Sequence, residues 1–505
     1  MRTANIQINV RHATSIQAIG LVSALALSGM TQAADWKFTA GVGVTETYSD
    51  NVTLNNSGNR EGDFITTITP TIAVKKNGAR LKVDASYSQQ HLFYANDSAR
   101  NSLFHQLNAR ANVELLEREV FLDTAASISQ AAISPLGATG TNNSNATNNI
   151  TNVRTITLAP YWIHRFGSTA TLNVRETIAR VSNDSSEFSS STNNTFSANL
   201  ASGSAFGKVS WGLNLLQQNA DYQDRSNVKL TTTSASLGYQ FLPRVRVTGT
   251  VGREDNSFST TTGETPGGVF WNAGVSWAPS TRTSLDLGFG RRFYGNSWNL
   301  AFKTRGPYST WTADYAESLN TSNNQFAGSQ LSATGTPGQR SSISLTNVNV
   351  LSNQVFLSKR FSTAFSWTKG KSDFRVDAFH STQTTKIDQN VNSVTLTRTR
   401  AGLSSTSDND IFSLTDNFKQ VGINGTWNWK LSSNLSSNIT GGITRNSYAG
   451  LNRADTLTNL QIGLNRKFSA QMNGNLSLRR QNRDSDQVNA DFSENAISGS
   501  INYNF

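Results

Sequence analysis

The sequence predicts an all-β protein: a transmembrane, up-and-down antiparallel β-barrel of roughly 22–24 strands. Three observations carry that expectation. Segment after segment alternates apolar and polar residues with a period of two, the period of a strand with one dry and one wet face. Short turns alternate with longer loops rich in Asn, Ser, Thr and Gly. An aromatic residue stands just before most of the short turns.

Composition agrees. The 505 residues are only 36% apolar, yet they include 26 Phe, 11 Tyr and 10 Trp. That is too much aromatic surface for a solvated coil, and it suits strands that need apolar residues at half their positions. The mean hydropathy of −0.41 does not argue against a membrane. Past the first thirty residues no apolar run reaches the ~18 residues of a spanning helix, so a spanning chain must close into a barrel. The chain has no Cys, which suits passage through an oxidising periplasm. Its net charge is +11, but the basic residues are scattered singly or in pairs, and no nucleic acid is expected as a partner.

At the amino terminus, Arg2 and Arg11 precede an apolar run from Ile16 to Met30, and Thr31-Gln32-Ala33 supplies small residues at the −3 and −1 positions. This reads as a secretory signal over residues 1–33, with the barrel over 34–505. Loss of Arg2 and Arg11 takes the charge from +11 to +9.

The barrel pattern begins at once. Trp36, Phe38, Ala40, Val42 and Val44 share one face; Phe64, Ile68, Ile72 and Val74 follow after a polar loop. Lys76-Asn77-Gly78-Ala79 is a hairpin signal, since Asn-Gly tolerates positive φ. Leu81, Val83, Ala85 and Tyr87 return the chain, and Leu107 to Leu115 and Val120 to Ile128 continue the alternation. Val209 to Leu215, Val245 to Val251, Val269 to Trp277, Leu285 to Phe289, Leu460 to Phe468 and Met472 to Leu478 repeat it. Ile497, Gly499, Ile501, Tyr503 and Phe505 form the last strand, opposite Ser498, Ser500, Asn502 and Asn504. Around Val348 to Thr385 the reading is weakest: Gln354 to Arg360 fits a strand or a short helix inside the barrel.

The long loops are read as Ser129–Asn149, Ser182–Asn194, Arg253–Gly268 and Ala316–Asn349, and the last is the expected constriction or plug. Short turns belong on the periplasmic side. Phe166, Phe206, Tyr239, Phe241, Trp277, Trp427, Trp429 and Phe468 precede them and are expected to form an aromatic girdle at that interface. Ile501, Tyr503 and Phe505 are expected to signal assembly, with the barrel-assembly machinery and outer-membrane lipid as partners. Barrel strands start within a few residues of Ala34, which disfavours an amino-terminal plug domain.

Opposite the apolar faces lie Lys82, Asp84, Arg110, Glu114, Asp123, Arg175, Arg246, Asp286, Arg375, Asp377 and Arg479. A Lys or Arg facing lipid at mid-membrane costs about 2–4 kcal/mol, so these residues are expected to line the lumen. They either brace a wet interior with ion pairs or form a conduit favouring anionic or sugar-like solutes. Of the histidines, His91 and His105 lie on consecutive strands near Asp97, the single arrangement worth testing for hydrolase chemistry; a pore-lining or loop-edge role is the expectation. No pair has metal-ligand spacing, Gly41-Val-Gly and Gly288-Phe-Gly read as strand glycines, and neither an enzyme nor a cofactor is expected.

Three stretches add a resemblance. Gly41-Val-Gly-Val-Thr-Glu-Thr-Tyr-Ser-Asp-Asn-Val-Thr-Leu54, Ala159-Pro-Tyr-Trp-Ile-His-Arg-Phe-Gly167 and Leu357-Ser-Lys-Arg-Phe361 resemble the outer-membrane proteins associated with the PEP-CTERM/exosortase system. The resemblance spans the mature chain and its motifs are structural. It implies a Gram-negative outer-membrane location and a role beside exopolysaccharide production and protein sorting, with exopolysaccharide or export components as partners. It brings no catalytic residues. The expected function is thus a channel or export conduit; the alternative is a non-conducting structural or adhesive barrel that binds surface polymer through its polar loops.

Overall fold

The computed structural model describes residues 36–185, 188–223, 226–258, 266–325, 355–385, 417–449 and 451–505. The expected signal over 1–33 lies outside them. Twenty-two antiparallel strands follow one another in chain order, each paired with its sequence neighbours. They range from 10 residues in β13 (Thr283–Arg292) to 17 in β6 (Ile150–Phe166). β1 (Trp36–Ser49) pairs with β22 (Phe492–Asn504) from Gly41↔Asn504 to Ser49↔Ala496, which closes the sheet. Closure removes the free edges that a bilayer would leave without hydrogen bonds. Beyond the register, the Phe505 amide donates to the Ala40 carbonyl at 2.8 Å. The count lies inside the expected range; of the doubtful stretch Gln354–Arg360, Gln354 lies outside the described residues and Phe356 to Arg360 open a strand, β16 (Phe356–Lys369).

Alternation sets the two faces. Along β1, Phe38, Val44 and Tyr48 are exposed, whereas Thr47 and Ser49 are buried. Residues directly opposite in register share a face, so the outward row passes from Val44 to Ile68 and Ile501. The apolar face points away from the lumen, as lipid requires. Among the described residues no helix is long and apolar enough to cross a membrane.

The end that carries Trp36 and Phe505 also carries the tight turns. Gly167 and Gly207, at φ +57° and +58°, let two of these turns form without a Cβ penalty. The outer end departs from the expected rhythm in one respect. The strands run further into the polar stretches than their apolar pattern suggests: β5 (Val120–Ala132), β7 (Ala170–Asn183), β8 (Ser191–Ser202), β11 (Val245–Ser257) and β15 (Ser309–Asn320) all do so. Above the apolar belt both faces meet water, so alternation stops while the backbone ladder continues. At the outer end, β13 also joins β14 (Gly295–Arg305) through just Phe293 and Tyr294.

A candidate conduit and the loop that crosses it

A closed sheet of 22 strands spaced ~4.8 Å apart and tilted ~40° has a radius of about 22 Å if round. The outer end is not round. The loop between β5 and β6 turns into the barrel, and Pro135 lies three residues past β5, a reach of about 10 Å. Yet its carbonyl accepts from Tyr448 Oη at 3.0 Å, on β19 (Leu435–Tyr448), eight strands away around the wall. The outer end is therefore pinched along this line.

The loop is bound down its length. Arg453 Nη2 donates to the Leu136 carbonyl at 3.2 Å, and Arg483 Nη1 donates to the Gly137 carbonyl at 2.7 Å. The Thr141 amide donates to Gln481 Oε1 at 3.1 Å, Asn143 Nδ2 to Gln90 Oε1 at 2.8 Å, and the Ala146 amide to the Val52 carbonyl at 2.9 Å. At the centre is Glu494, fully buried. It accepts from Arg479 at 2.9 and 3.0 Å, Gln481 at 2.6 Å, Asn145 at 2.8 Å and Ser49 at 2.7 Å. One carboxylate thus ties β1, β21 (Met472–Ser485), β22 and the loop together. Every acceptor site is used, which is what lets a charge sit here without water.

A second brace crosses the same end. Past β15, the Gln325 amide donates to the Thr321 carbonyl at 3.1 Å and closes a helical turn, and Asn323 Nδ2 donates to Ser191 Oγ at 2.7 Å and to the Ser189 carbonyl at 3.2 Å. Tyr222, Val228, Leu230, Val355 and Leu357 pack in one buried cluster, with Phe293, Tyr294 and Leu319 against it. The constriction expected from Ala316–Asn349 is therefore present only in part: residues 326–349 lie outside the described residues, and the loop over Ser129–Asn149 contributes most of the contacts seen.

Nearer the other end, the inward wall from β2 (Asp63–Asn77) through β3 (Leu81–Tyr94) and β4 (Ser102–Leu116) to β7 holds a polar patch. Register places Asp84 opposite Lys75 and Arg110, and Asn112 opposite Lys82 and Asp123. Asn112 Nδ2 donates to Asp123 Oδ1 at 2.6 Å, and Arg175 donates to the same carboxylate. The Arg175 guanidinium lies 4.7 Å from the Tyr161 ring centre, and that ring stacks on Phe121 at 4.9 Å. Lys75, Lys82, Asp84, Arg110 and Asp123 line a cavity of about 350 Å³. Arg110 Nε is buried with no partner among the described residues. Four cations thus face two carboxylates beside an aromatic pair, chemistry suited to anionic or sugar-like groups.

The other sequence candidates are dispersed. Glu114 accepts from the Arg118 amide at 2.5 Å and braces a turn. Arg246 donates to Gln240 Oε1 at 3.2 Å; Asp286 stands opposite Ser276 and Ala301. Arg375 and Asp377 pair at 3.5 Å, with Asn424 on Asp377 at 3.0 Å. Arg479 belongs to the Glu494 network. Phe166, Phe206, Tyr239, Phe241, Trp277, Trp427, Trp429 and Phe468 are all exposed, as are Ile501, Tyr503 and Phe505.

Of the two roles expected for the histidines, pore lining is excluded and a place near the loop edge is left: His91 and His105 lie on the outer face, and neither meets Asp97. His91 pairs in register with Ile68 and Leu103, exposed residues of the outer face, and His105 with Gln89. Tyr87 Oη contacts His105 Nδ1 at 2.7 Å, while Asp97 accepts from the Ala99 amide and pairs with Arg100 at 3.2 Å. Parity with Tyr87 carried that signal in the sequence. Sequence reading also passed over Glu494, although it lies in phase with Ser498 and Ser500.

No protein-family model matches the chain, and no curated protein matches it. Solved barrels do. The FrpB iron transporter from Neisseria meningitidis (F3-3 variant) is 12% identical with a TM-score of 0.51, over 95% of this chain and 82% of that one. The siderophore receptor PirA from Pseudomonas aeruginosa is 10% identical with a TM-score of 0.45, over 93% and 80%. OpdK from Pseudomonas aeruginosa is 11% identical with a TM-score of 0.37, over 93% and 99%. At such identities the FrpB likeness speaks for the fold alone. With a closed sheet and an apolar outer face, the chain is a 22-stranded barrel of the outer membrane.

Proposed function

We propose that this barrel is a narrow conduit for anionic, sugar-like material across the outer membrane. The observation that carries the reading is the inward patch of Lys75, Lys82, Arg110 and Arg175 around Asp84 and Asp123, set beside the stacked Tyr161 and Phe121. Cations attract uronate or phosphate groups, and aromatic faces in a wet lumen suit the apolar faces of sugar rings. The resemblance of residues 41–54, 159–167 and 357–361 to barrels of the PEP-CTERM/exosortase system supports exopolysaccharide as the cargo. The cross-braces at the outer end make passage selective by width.

Those same braces favour a second reading, a barrel that holds surface polymer without conducting. Uptake into liposomes separates the two. The conduit reading expects faster entry of oligouronates than of neutral oligosaccharides of equal length, with the difference lost in Arg110→Ala/Arg175→Ala. Liposomes impermeable to both sugars would contradict it and leave the scaffold.

A further inference from the structure

The outward face of β16 to β19 carries a basic patch that the conduit does not use. Register puts His380 of β17 (Ser372–Thr384) level with Phe361, Val421 of β18 (Phe418–Lys430) and Arg445 of β19. Phe361 and Val421 are exposed outer-face residues, so His380 and Arg445 point outward with them. One step higher, Lys359, Thr382 and Lys419 share the same face. His380, Lys419 and Arg445 are exposed.

Height follows from the strand. Trp427 and Trp429 stand at the terminus-bearing end of β18, stacked at 5.8 Å. Ten residues separate Trp429 from Lys419, roughly 25 Å of height at ~3.3 Å per residue and ~40° of tilt. The apolar band of such barrels is about 25 Å tall. The patch therefore sits where the outer-leaflet headgroups begin, directly above Ile423 and Ile443 of the lipid-facing wall.

Two outward cations cluster here, since Lys419 is level with Ser447, two residues along β19 from Arg445; the other exposed outward cations without a carboxylate among the described residues, Arg180, Lys229, Arg291 and Arg480, stand singly. Elsewhere on the rim, Arg154 pairs with Asp184, and Arg253 with Asp255 at 3.3 Å. Lys359 has Glu317 at 3.6 Å. Among the described residues Lys419 and Arg445 have no carboxylate within ion-pair distance. Two cations without a carboxylate partner among the described residues, with a histidine, above an apolar wall fit a phosphorylated lipid: its chains lie against Ile423 and Ile443 while its phosphate meets the cations. We propose that Lys419, Arg445 and His380 form a binding site for the phosphate of an outer-leaflet glycolipid.

The test uses the full chain in nanodiscs with bisphosphorylated lipid A as the probe, read by lipid retention in native mass spectrometry and by titration. Each cation near a lipid headgroup is worth about fivefold in affinity, so Lys419→Gln/Arg445→Gln is expected to weaken lipid A binding roughly 25-fold. Arg154→Gln, whose charge is already balanced, is expected to match wild type. Lys419→Arg/Arg445→Lys, which keeps both charges, is expected to bind as wild type. Equal retention by wild type and the Gln variant would overturn the proposal. An equal loss with phosphatidylglycerol would replace it with a nonspecific anionic surface. Displacement by low concentrations of inorganic phosphate would overturn the lipid as the source.

Discussion

Replacing Glu494 by Gln tests how the crossing loop is held. Glu494 receives hydrogen bonds from Ser49, Arg479 and Gln481 on the wall and from Asn145 on the loop. Gln481 in turn accepts from the Thr141 amide at 3.1 Å and donates to Asn145 Oδ1 at 3.1 Å. The loop's share is chiefly the Asn145 bond to a charged acceptor, worth about 1.5–3 kcal/mol. Removing it raises the undocked fraction roughly 10- to 150-fold. The wall loses more: the Arg479 side chain, 7% exposed, keeps its charge without a carboxylate beside it, at a cost of about 3–5 kcal/mol. Asn145→Ala leaves the wall's ion pair intact, because Arg479 and Glu494 stay paired and Gln481 still donates to Glu494. Since the chain has no Cys, a Thr141→Cys reporter labels only that loop; the Thr141 hydroxyl makes no hydrogen bond among the described residues. Maleimide labelling of the reporter is expected to speed up by those factors in both variants. The thermal unfolding midpoint is expected to fall only with Glu494→Gln. Labelling at the wild-type rate in Glu494→Gln would refute the network as the loop's anchor.

Two further outcomes follow from the same geometry. Arg110→Ala/Arg175→Ala is expected to move the reversal potential in a salt gradient toward cation preference, whereas Arg246→Ala, whose guanidinium hydrogen-bonds Gln240 away from the patch, is expected to shift it less. Deleting Phe505 removes the amide bond to Ala40 and an edge contact with the Tyr503 ring at 5.2 Å; the folded fraction on a heat-modifiability gel is expected to drop more than for Phe468→Ala, and equal drops would deny the last residue a special part in closure.

The barrel was legible where strands border lipid. β1 and β22 each show one apolar face, because only burial in the apolar belt forces the period of two. β8 was not: Ser191-Thr-Asn-Asn-Thr195 is polar on both faces, so a strand above the belt reads as a loop. The inward charges were placed by parity, but parity is local. It aligns Asp84 with Arg110 on neighbouring strands and says nothing of Asn145 meeting Glu494, which requires a loop to fold back 349 positions along the chain. The loop's Asn, Ser and Thr residues serve equally well in water or against a wall, so composition does not tell an inserted loop from a free one. The pore-lining alternative for His91 and His105 fails for a different reason: Tyr87 marks their outward face, and the polar nature of histidine outweighs that phase.

Single-channel recording in planar bilayers bears most directly on the conduit. Wild type is expected to show small stepwise openings with anion preference, and Glu494→Gln larger ones as the loop leaves the pinched end. A membrane that stays silent with both proteins, each shown to be folded and inserted, would contradict a conducting lumen.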